Sequence, residues 1–305
     1  MVNEELWKRM EAFMRKQSEG KIFVVINATL MIVVCILTLY PFINTAAISL
    51  NNGVDAARGG IYLWPRVFSL KSYKVILSDN SILNAGFISV CKTVLGIGLT
   101  VLFTGIFAYG LSKKYLIGRK FYLIICLFTM FFYGGVIPNY LVYRDLHLTN
   151  NFLVYILPNI INVWYMILMK TYFQQLPKEI EESAKIDGCS LFKMFFAIIV
   201  PVSLPIIATI CIFVGVEQSN AWFDAYLFIS DEKLYPLQTY LYRILAFAQV
   251  REQSGIESQL IDRMAASELT IKCATVIVTT LPIVFIYSIF QKYFTKGIMI
   301  GAIKG

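Results

Sequence analysis

The stretch that decides the fold is "PKEIEESAKIDG", Pro177–Gly188, which places a charged helix between two strongly apolar segments. Proline suits the first turn of a helix, because the N–H that it lacks would have no helical partner there. Glu179, Glu181 and Glu182 follow near the positive end of the helix dipole. Gly188 is suited to the left-handed conformation that often ends a helix. The stretch therefore predicts a capped helix of about three turns.

The surface of this helix suggests a partner. Glu181 and Lys185 are four residues apart and are expected to form an ion pair. One face is small and only mildly apolar, which suits docking into a groove of another protein. That face consists of Ile180, Ser183, Ala184 and Asp187. An ordinary solvated loop helix is the alternative, although a simple connector between two apolar segments needs only a few residues. Ser190 is expected to begin a second short helix that leads into the next apolar segment.

The rest of the chain has the composition of a membrane protein. Of its 305 residues 58% are hydrophobic and 15% are charged, with a mean hydropathy of +0.67. A soluble domain is nearer half apolar and a quarter charged. A transmembrane helix needs about 20 mainly apolar residues, and six segments approach or exceed that length, so the expected fold class is an all-α polytopic membrane protein with six transmembrane helices. The six are Ile22–Tyr40, Ala85–Gly110, Phe121–Tyr143, Phe152–Met169, Met194–Val216 and Leu269–Phe290.

The distribution of charge predicts the orientation. Six spans place both termini on one side, where the N-terminal arm (1–20), the turn at 113–120, the loop near 176–197 and the tail (291–305) carry more than half of all Lys and Arg. Acidic residues outnumber basic ones in the other loops. The positive-inside rule therefore predicts a cytoplasmic arm, a six-helix domain at 21–290 and a cytoplasmic tail, with the charged helix also in the cytoplasm.

The residue inventory argues against several kinds of chemistry. The single histidine, His147, argues against a His-based catalytic triad or a His-rich metal site. The six cysteines form no CxxC pair and are expected to be small core residues, so no metal site is expected. No GxxxxGK[ST] sequence is present, so any ATP hydrolysis would come from another subunit. The net charge of +8 is accounted for by topology and gives no reason to expect nucleic acid.

Two other function classes fit less well. An ion-driven secondary transporter predicts carboxylates deep in the spans, and an intramembrane enzyme predicts converging Asp, His or Glu near the middle of the membrane. All 19 acidic residues lie in loops or at span ends.

The segment "EESAKIDGCSLFKMFFAIIVP", Glu181–Pro201, resembles the EAA loop of the permeases of ABC importers. That motif is Glu-Ala-Ala, three residues, Gly, nine residues and Ile-x-Leu-Pro. Here it is met by Glu182-Ser183-Ala184, Gly188 and Ile198–Pro201, with Ser and Val as mild departures. Four further stretches resemble the carbohydrate branch, in particular the second permease of aldouronate, rhamnogalacturonan or maltose-type importers. They are "AYGLSKK" (Ala108–Lys114), "NAWFDAYLFI" (Asn220–Ile229), "YPLQTYL" (Tyr235–Leu241) and "QKYFTKGIMIGAIKG" (Gln291–Gly305).

The resemblance implies a MetI-like permease in the plasma membrane of a bacterium, with a cytoplasmic coupling-helix loop at 176–201. It implies a heterodimer with a second permease, a cytoplasmic ABC ATPase dimer, an extracellular solute-binding lipoprotein and an oligosaccharide substrate moved by alternating access. The chain itself would be no enzyme and would bind no cofactor; ATP and Mg would be used by the ATPase. A permease for peptides or amino acids remains open.

The resemblance also assigns candidate residues. The element that couples to the ATPase would contain Glu182, Ser183, Ala184, Asp187 and Gly188. The tail that contacts the ATPase would contain Gly301, Lys304 and Gly305.

Polar residues near the apolar segments are candidates for the substrate path or an outer gate: Asn159, Asn162, Glu217 and Trp222. A polar group inside a span needs a partner or a watery cavity. Interhelical hydrogen bonds are the favoured explanation of the two asparagines. An interfacial position is the alternative for Glu217, and an aromatic belt explains Trp222 equally well. Lys92 is expected to extend its ammonium group to the outer surface.

Overall fold

The computed structural model describes residues 2–253, 269–281, 284 and 288, and this part of the chain is helical apart from turns and a single bridge between Asn51 and Phe68. The all-α fold class is thereby confirmed. The α-helices are α1 (Val2–Ser49), α2 (Gly53–Ala56), α3 (Lys71–Ser78), α4 (Asn80–Ser112), α5 (Arg119–Phe131), α6 (Val136–Asp145), α7 (Val163–Phe173), α8 (Lys178–Ile186), α9 (Leu191–Met194), α10 (Val200–Val202), α11 (Leu204–Asn220), α12 (Phe223–Phe228), α13 (Leu237–Gln253) and α14 (Leu269–Leu281). Short 3₁₀ turns occur at Phe152–Tyr155, Leu157–Asn159 and Glu232–Leu234, and a π-helical turn occurs at Phe195–Ile199.

These helices form two compact units, of which the first contains residues 2–74 and 269–277. Its main element is α1, a helix of 48 residues. The backbone of the N-terminal arm therefore continues without a break into the first apolar segment. Ser72 and Thr270 join the two parts of this unit through a hydrogen bond of 2.8 Å between their hydroxyl groups.

The second unit is built around α4, a helix of 33 residues that packs against α7 and α11. Asp79 caps its N-terminus by accepting a hydrogen bond of 2.8 Å from the Ser81 N–H. Close approach is needed at Gly96, where an added Cβ would lie 3.0 Å from the side chain of Gln218 on α11. The main apolar core of the described residues lies between these three helices and the segment 194–199.

Bent helices, rather than straight ones, form three of the expected spans. Within the described residues only two single helices are long and apolar enough to cross a membrane, Phe23–Ser49 and α4, and the total rises to five if each bent pair counts as one span. The pairs bend by 114° between α5 and α6, by 47° between Phe152–Asn159 and α7, and by 84° between Leu191–Val202 and α11. The expected spans Phe121–Tyr143, Phe152–Met169 and Met194–Val216 therefore correspond to bent pairs, and the described residues do not confirm the expected count of six transmembrane helices. Of the sixth expected span, α14 is described as a shorter apolar helix.

Glycine and proline explain the two sharpest bends. Gly135 has a φ of +90°, a conformation that favours glycine, and it directly precedes α6. Pro201 and Pro205 flank the bend that precedes α11, and each lacks the N–H that a continuous helix would use. A sum of hydropathy values treats these residues as neutral, so it does not register the breaks.

A substitution at Gly96 tests the packing of α4. Gly96→Val should lower the stability of the protein by about 1–3 kcal/mol, because the new side chain meets Gln218 in a packed interface. Gly98→Val is the matched control: it carries the same cost of a β-branched residue in α4, but an added Cβ there has no atom within 4 Å. Thermal unfolding in detergent measures both variants. Equal melting temperatures would contradict the close approach at Gly96.

Candidate functional site

The charged stretch forms the helix that its sequence predicts. α8 begins after Pro177, and Gly188 follows it with a φ of +71°. The Gly188 N–H donates to the carbonyl of Lys185 (3.0 Å), and the Cys189 N–H donates to that of Ala184 (2.9 Å). These two bonds form a Schellman motif, which satisfies carbonyls at the end of the helix.

A second short helix follows, as expected. The Ser190 hydroxyl caps α9 by accepting a hydrogen bond of 3.4 Å from the Lys193 N–H. The chain then continues through the π-helical turn towards α11.

The inward and outward faces of α8 differ from the expected ones. Ala184 is only 5% exposed and packs in the main core, while Ile180 and Glu181 are half-buried. Ser183 and Asp187 are exposed. The expectation that Ile180, Ser183, Ala184 and Asp187 share one docking face was therefore wrong, because the methyl group of Ala184 is buried against this chain's own helices.

The outward face of α8 contains four exposed residues: Glu179, Glu182, Ser183 and Ile186. Their spacing of i, i+3, i+4 and i+7 places them on one side of a helix. Ile186 is 86% exposed, so this face presents a large apolar side chain beside the two glutamates. Sequence reasoning missed Ile186, although the helical spacing from Glu179 contained the signal.

Glu181 forms its ion pair with Lys113, just after α4, and not with Lys185 as expected. The Lys113 ammonium also lies 3.8 Å from the ring centroid of Tyr109 on α4. Burial lowers the pKa of Lys113, and the hydrogen bond and charge of Glu181 act in the opposite direction. Lys185 lies instead over Tyr115, with its ammonium 5.4 Å from the ring centroid. Two cations thus tie α8 to the end of α4 and the turn that follows it.

Aromatic packing supports the same junction. The Tyr109 ring lies 5.2 Å from that of Phe195 and 6.0 Å from that of Phe173, measured between centroids. Its hydroxyl group donates a hydrogen bond of 3.2 Å to the sulfur of Met194. The end of α4 therefore contacts the segments on both sides of α8.

Three of the four candidates for the substrate path have partners within the chain. Asn162 caps α7 by accepting a hydrogen bond of 3.2 Å from the Tyr165 N–H. Glu217 accepts a hydrogen bond of 2.9 Å from the Tyr165 hydroxyl. Trp222 stacks on Tyr242, with ring centroids 3.9 Å apart.

Lys92 is buried rather than extended to the surface, since it is only 1% exposed. Its ammonium donates a hydrogen bond of 2.9 Å to the Ala221 carbonyl and lies 4.8 Å from the ring centroid of Tyr155. The expectation of an ammonium group at the outer surface was therefore wrong. The freed carbonyl between α11 and α12 gives this cation a partner inside the protein.

Asn159, the fourth candidate, lines a pocket of about 140 Å³ in the second unit. The pocket, here called the bend pocket, lies where α6, the 3₁₀ turn before α7, and α12 meet. Asn139 and Asp224 contribute its other amide and carboxylate groups, and sequence reasoning singled out neither. Its lining consists of Tyr133, Val136, Asn139, Tyr143, Val154, Pro158, Asn159, Phe223, Asp224, Leu227 and Phe228. The tail candidates Gly301, Lys304 and Gly305 lie outside the described residues.

Known proteins resemble this chain along nearly its full length. The family model described as "Binding-protein-dependent transport system inner membrane component" matches residues 96–300. Protein LplC of Bacillus subtilis (strain 168) is 37% identical, over 96% of this chain and 98% of LplC. The polygalacturonan/rhamnogalacturonan transport system permease protein YtcP of the same organism is 35% identical, over 94% of this chain and 100% of YtcP. The trehalose/maltose transport system permease protein MalG of Thermococcus litoralis is 28% identical, over 96% and 100%.

A solved structure shares the fold. It is a chain of a bacterial ABC transporter involved in the import of the acidic polysaccharide alginate, with a TM-score of 0.81 and 27% sequence identity. The match covers 90% of this chain and 97% of that chain.

A double-mutant cycle tests the contact between α8 and α4. Lys113→Met and Glu181→Gln should each destabilise the protein, because each leaves a half-buried partner unpaired, and the double variant should cost less than their sum. The expected coupling energy is about 0.5–3 kcal/mol. The exposed Arg144–Asp145 pair is the control, with an expected coupling near zero after Arg144→Met and Asp145→Asn. Thermal unfolding in detergent measures both cycles, and additive effects at Lys113 and Glu181 would argue against the contact.

Proposed function

We propose that this chain is the permease subunit of an ATP-driven importer of oligosaccharides. It belongs to the family of binding-protein-dependent transport system inner membrane components. The substrate class rests on the relatives, whose names refer to polygalacturonan and rhamnogalacturonan, to trehalose and maltose, and, for the solved structure, to alginate. The subunit pairs with a second permease in the plasma membrane of a bacterium and receives its substrate from an extracellular solute-binding lipoprotein. Membrane lipid surrounds it.

The observation that carries the proposal is the outward face of α8. The helix is capped at its C-terminal end, its inner face is buried against its own subunit, and its outer face exposes both acidic side chains and the large apolar Ile186. Such a helix suits a groove on another protein. We assign that groove to a cytoplasmic ABC ATPase, which binds the ATP and Mg that this chain has no P-loop to bind.

The coupling residues then have distinct roles. Glu182, Ser183 and Asp187 are exposed and contact the ATPase, together with Ile186. Ala184 anchors the helix from its buried side, and Gly188 sets the turn into α9.

Movement of α8 reaches the membrane through α4. Lys113 and Tyr109 connect the helix to the end of α4, so closure of the ATPase dimer displaces the span along with α8. This displacement is the step that alternates access between the two sides of the membrane.

The topology follows from the charge distribution. The turn at 113–120 and α8 lie on the same side of the membrane because Lys113 contacts Glu181. The turn is rich in Lys and Arg, and the loop around α8 also contains lysines. Under the positive-inside rule this favours a cytoplasmic position for both segments. Both termini are on that side, and the tail with Gly301, Lys304 and Gly305 contacts the ATPase.

Charge reversal at Glu182 tests the docking face. The complex, purified in mild detergent from its own host with a tag on this chain, should contain a second permease and a P-loop ATPase. Glu182→Lys should retain the second permease but lose most of the ATPase, because it reverses an exposed charge in the contact. Asp145→Lys, which reverses an exposed charge elsewhere in the same unit, should retain both proteins. A native chain that purifies alone would remove the main support for the proposal.

Substitutions at Gly188 test the turn. Gly188→Val should reduce ATP-driven uptake, because a β-branched residue strongly resists a φ of +71° and the left-handed conformation costs about 1–2 kcal/mol. Gly188→Asn should retain most of the uptake, since Asn adopts this conformation more readily. The site offers room for either side chain, because an added Cβ has no atom within 4 Å. Equal uptake by the two variants would show that the backbone conformation at this position does not matter.

A further inference from the structure

The bend pocket presents three polar side chains whose hydrogen-bonding groups are free. Within the described part of the chain, the side-chain amides of Asn139 and Asn159 and the carboxylate of Asp224 take part in no hydrogen bond or ion pair, yet all three line one pocket of about 140 Å³. The backbone of Asn159 is engaged, because its carbonyl accepts a hydrogen bond from Thr100 and its N–H donates to the Ile156 carbonyl. Asn139 and Asp224 are partly buried, whereas Asn159 is exposed at the mouth of the pocket. Partly buried polar groups without a partner are costly unless water or a ligand satisfies them.

Aromatic side chains form much of the remaining wall. Tyr143 and Phe223 line the pocket, and the Tyr143 ring is held edge-on against Phe228 at a centroid distance of 5.0 Å. A ligand pocket that combines apolar and aromatic walls with a few polar groups suits small molecules that have both an apolar face and polar groups. A sugar ring has this character, because its C–H faces are apolar and its hydroxyl groups project from the rim.

The volume and charge of the pocket narrow the ligand further. A space of about 140 Å³ corresponds to roughly five water molecules, so it admits part of one sugar ring and is too small for an oligosaccharide. Asp224 contributes a carboxylate to the lining. The buried ammonium of Lys92 interacts electrostatically with Asp224, but its direct contacts are with the Ala221 carbonyl and the Tyr155 ring. The lining therefore accepts hydrogen bonds from hydroxyl groups and contains no Lys or Arg to pair with the carboxylate of a uronic acid.

The position of the pocket is that of a transport site. α6 and α7 each belong to a bent span, and α12 directly follows a third, so the pocket forms where these spans are interrupted. Discontinuous helices commonly form substrate sites in transporters, since their free backbone groups need a polar cavity.

We infer that the bend pocket is a subsite for one neutral, hydroxyl-rich sugar ring of the transported saccharide, bound by Asn139, Asn159 and Asp224 and stacked on Tyr143 or Phe223. This inference rests on the proposed function, and it assigns to this subunit direct contact with the substrate.

Cysteine protection tests occupancy of the pocket. Asn139→Cys is introduced into the full complex, reconstituted with its second permease, ATPase and binding protein. A membrane-impermeant maleimide is applied in the resting and vanadate-trapped states, with the chain carrying its native cysteines as the background. Millimolar maltotetraose, a neutral probe, should slow labelling at position 139 several-fold in at least one state, whereas tetragalacturonate at the same concentration should not. No labelling in either state, no protection, or protection by tetragalacturonate alone would overturn the inference.

Uptake separates this inference from the proposed function. A panel of neutral and acidic oligosaccharides is first tested for uptake by the wild-type complex, and the saccharide that it imports is used in the assay. At a subsaturating concentration of this saccharide, Asp224→Asn should reduce the rate of uptake by about tenfold. This is the usual effect of losing one hydrogen bond to a charged group. Asp145→Asn, at an exposed carboxylate, should not reduce it. If the wild-type complex imports no saccharide, the proposed function fails; if it does and Asp224→Asn imports as well as the wild type, only the subsite fails.

Discussion

The second unit depends on hydrogen bonds from buried side chains to the carbonyl groups that its broken helices leave free. In hydrocarbon there is no water to satisfy such carbonyls, so an interrupted span requires a donor from the protein itself. Most of these donors lie on α4: Thr100 donates to the Asn159 carbonyl, Thr104 to the Ile160 carbonyl and Lys92 to the Ala221 carbonyl. On α11, Gln218 donates to the Tyr155 carbonyl at 3.3 Å. The side chains of the continuous helix α4 thus satisfy backbone carbonyls that the breaks in the neighbouring helices leave without a helical partner.

This arrangement explains why the polar residues of the spans divide into two groups. One group consists of buried residues on α4 and α11 that donate to these carbonyls: Lys92, Thr100, Thr104 and Gln218. Asn159 lies on the 3₁₀ turn within a bent span, Asp224 lies on α12, which directly follows another, and both line the bend pocket. Because the carbonyls at the breaks already have donors, these side chains remain available to a ligand.

Local capping could be read from the sequence, whereas tertiary contacts could not. The start of α8 at Pro177, its end at Gly188 and the cap at Ser190 each follow from a preference of one residue for one backbone position, and all three occur in the structure. The pairing of Glu181 was misjudged because a neighbour four residues away is only one of several cations within reach, and the half-buried Lys113 offers a less screened interaction.

The interrupted spans and the burial of Lys92 were missed for a related reason. A criterion based on apolar length does not weigh Gly135, Pro201 and Pro205, which mark the two sharpest bends in the sequence. A lysine near the end of such a run looks free to reach water, and only the fold reveals that the Ala221 carbonyl lies closer. Asn139 and Asp224 were overlooked because they are far apart in sequence and meet only after the bends have formed.

Because α4 is long, this one helix connects the segments around the bend pocket to α8. Lys92 and Thr100 contact the segments around the bend pocket, and Lys113, immediately after the helix, contacts α8. Between them α4 is a continuous helix without proline, so it resists bending and moves as one body. A displacement of α8 that shifts Lys113 must therefore either break its ion pair with Glu181 or move Thr100 and Lys92 as well. In the second case the carbonyls at Asn159 and Ala221 follow their donors, and the pocket between them changes shape. Under the proposed function, the same hydrogen bonds that stabilise the broken spans connect α8 mechanically to the bend pocket.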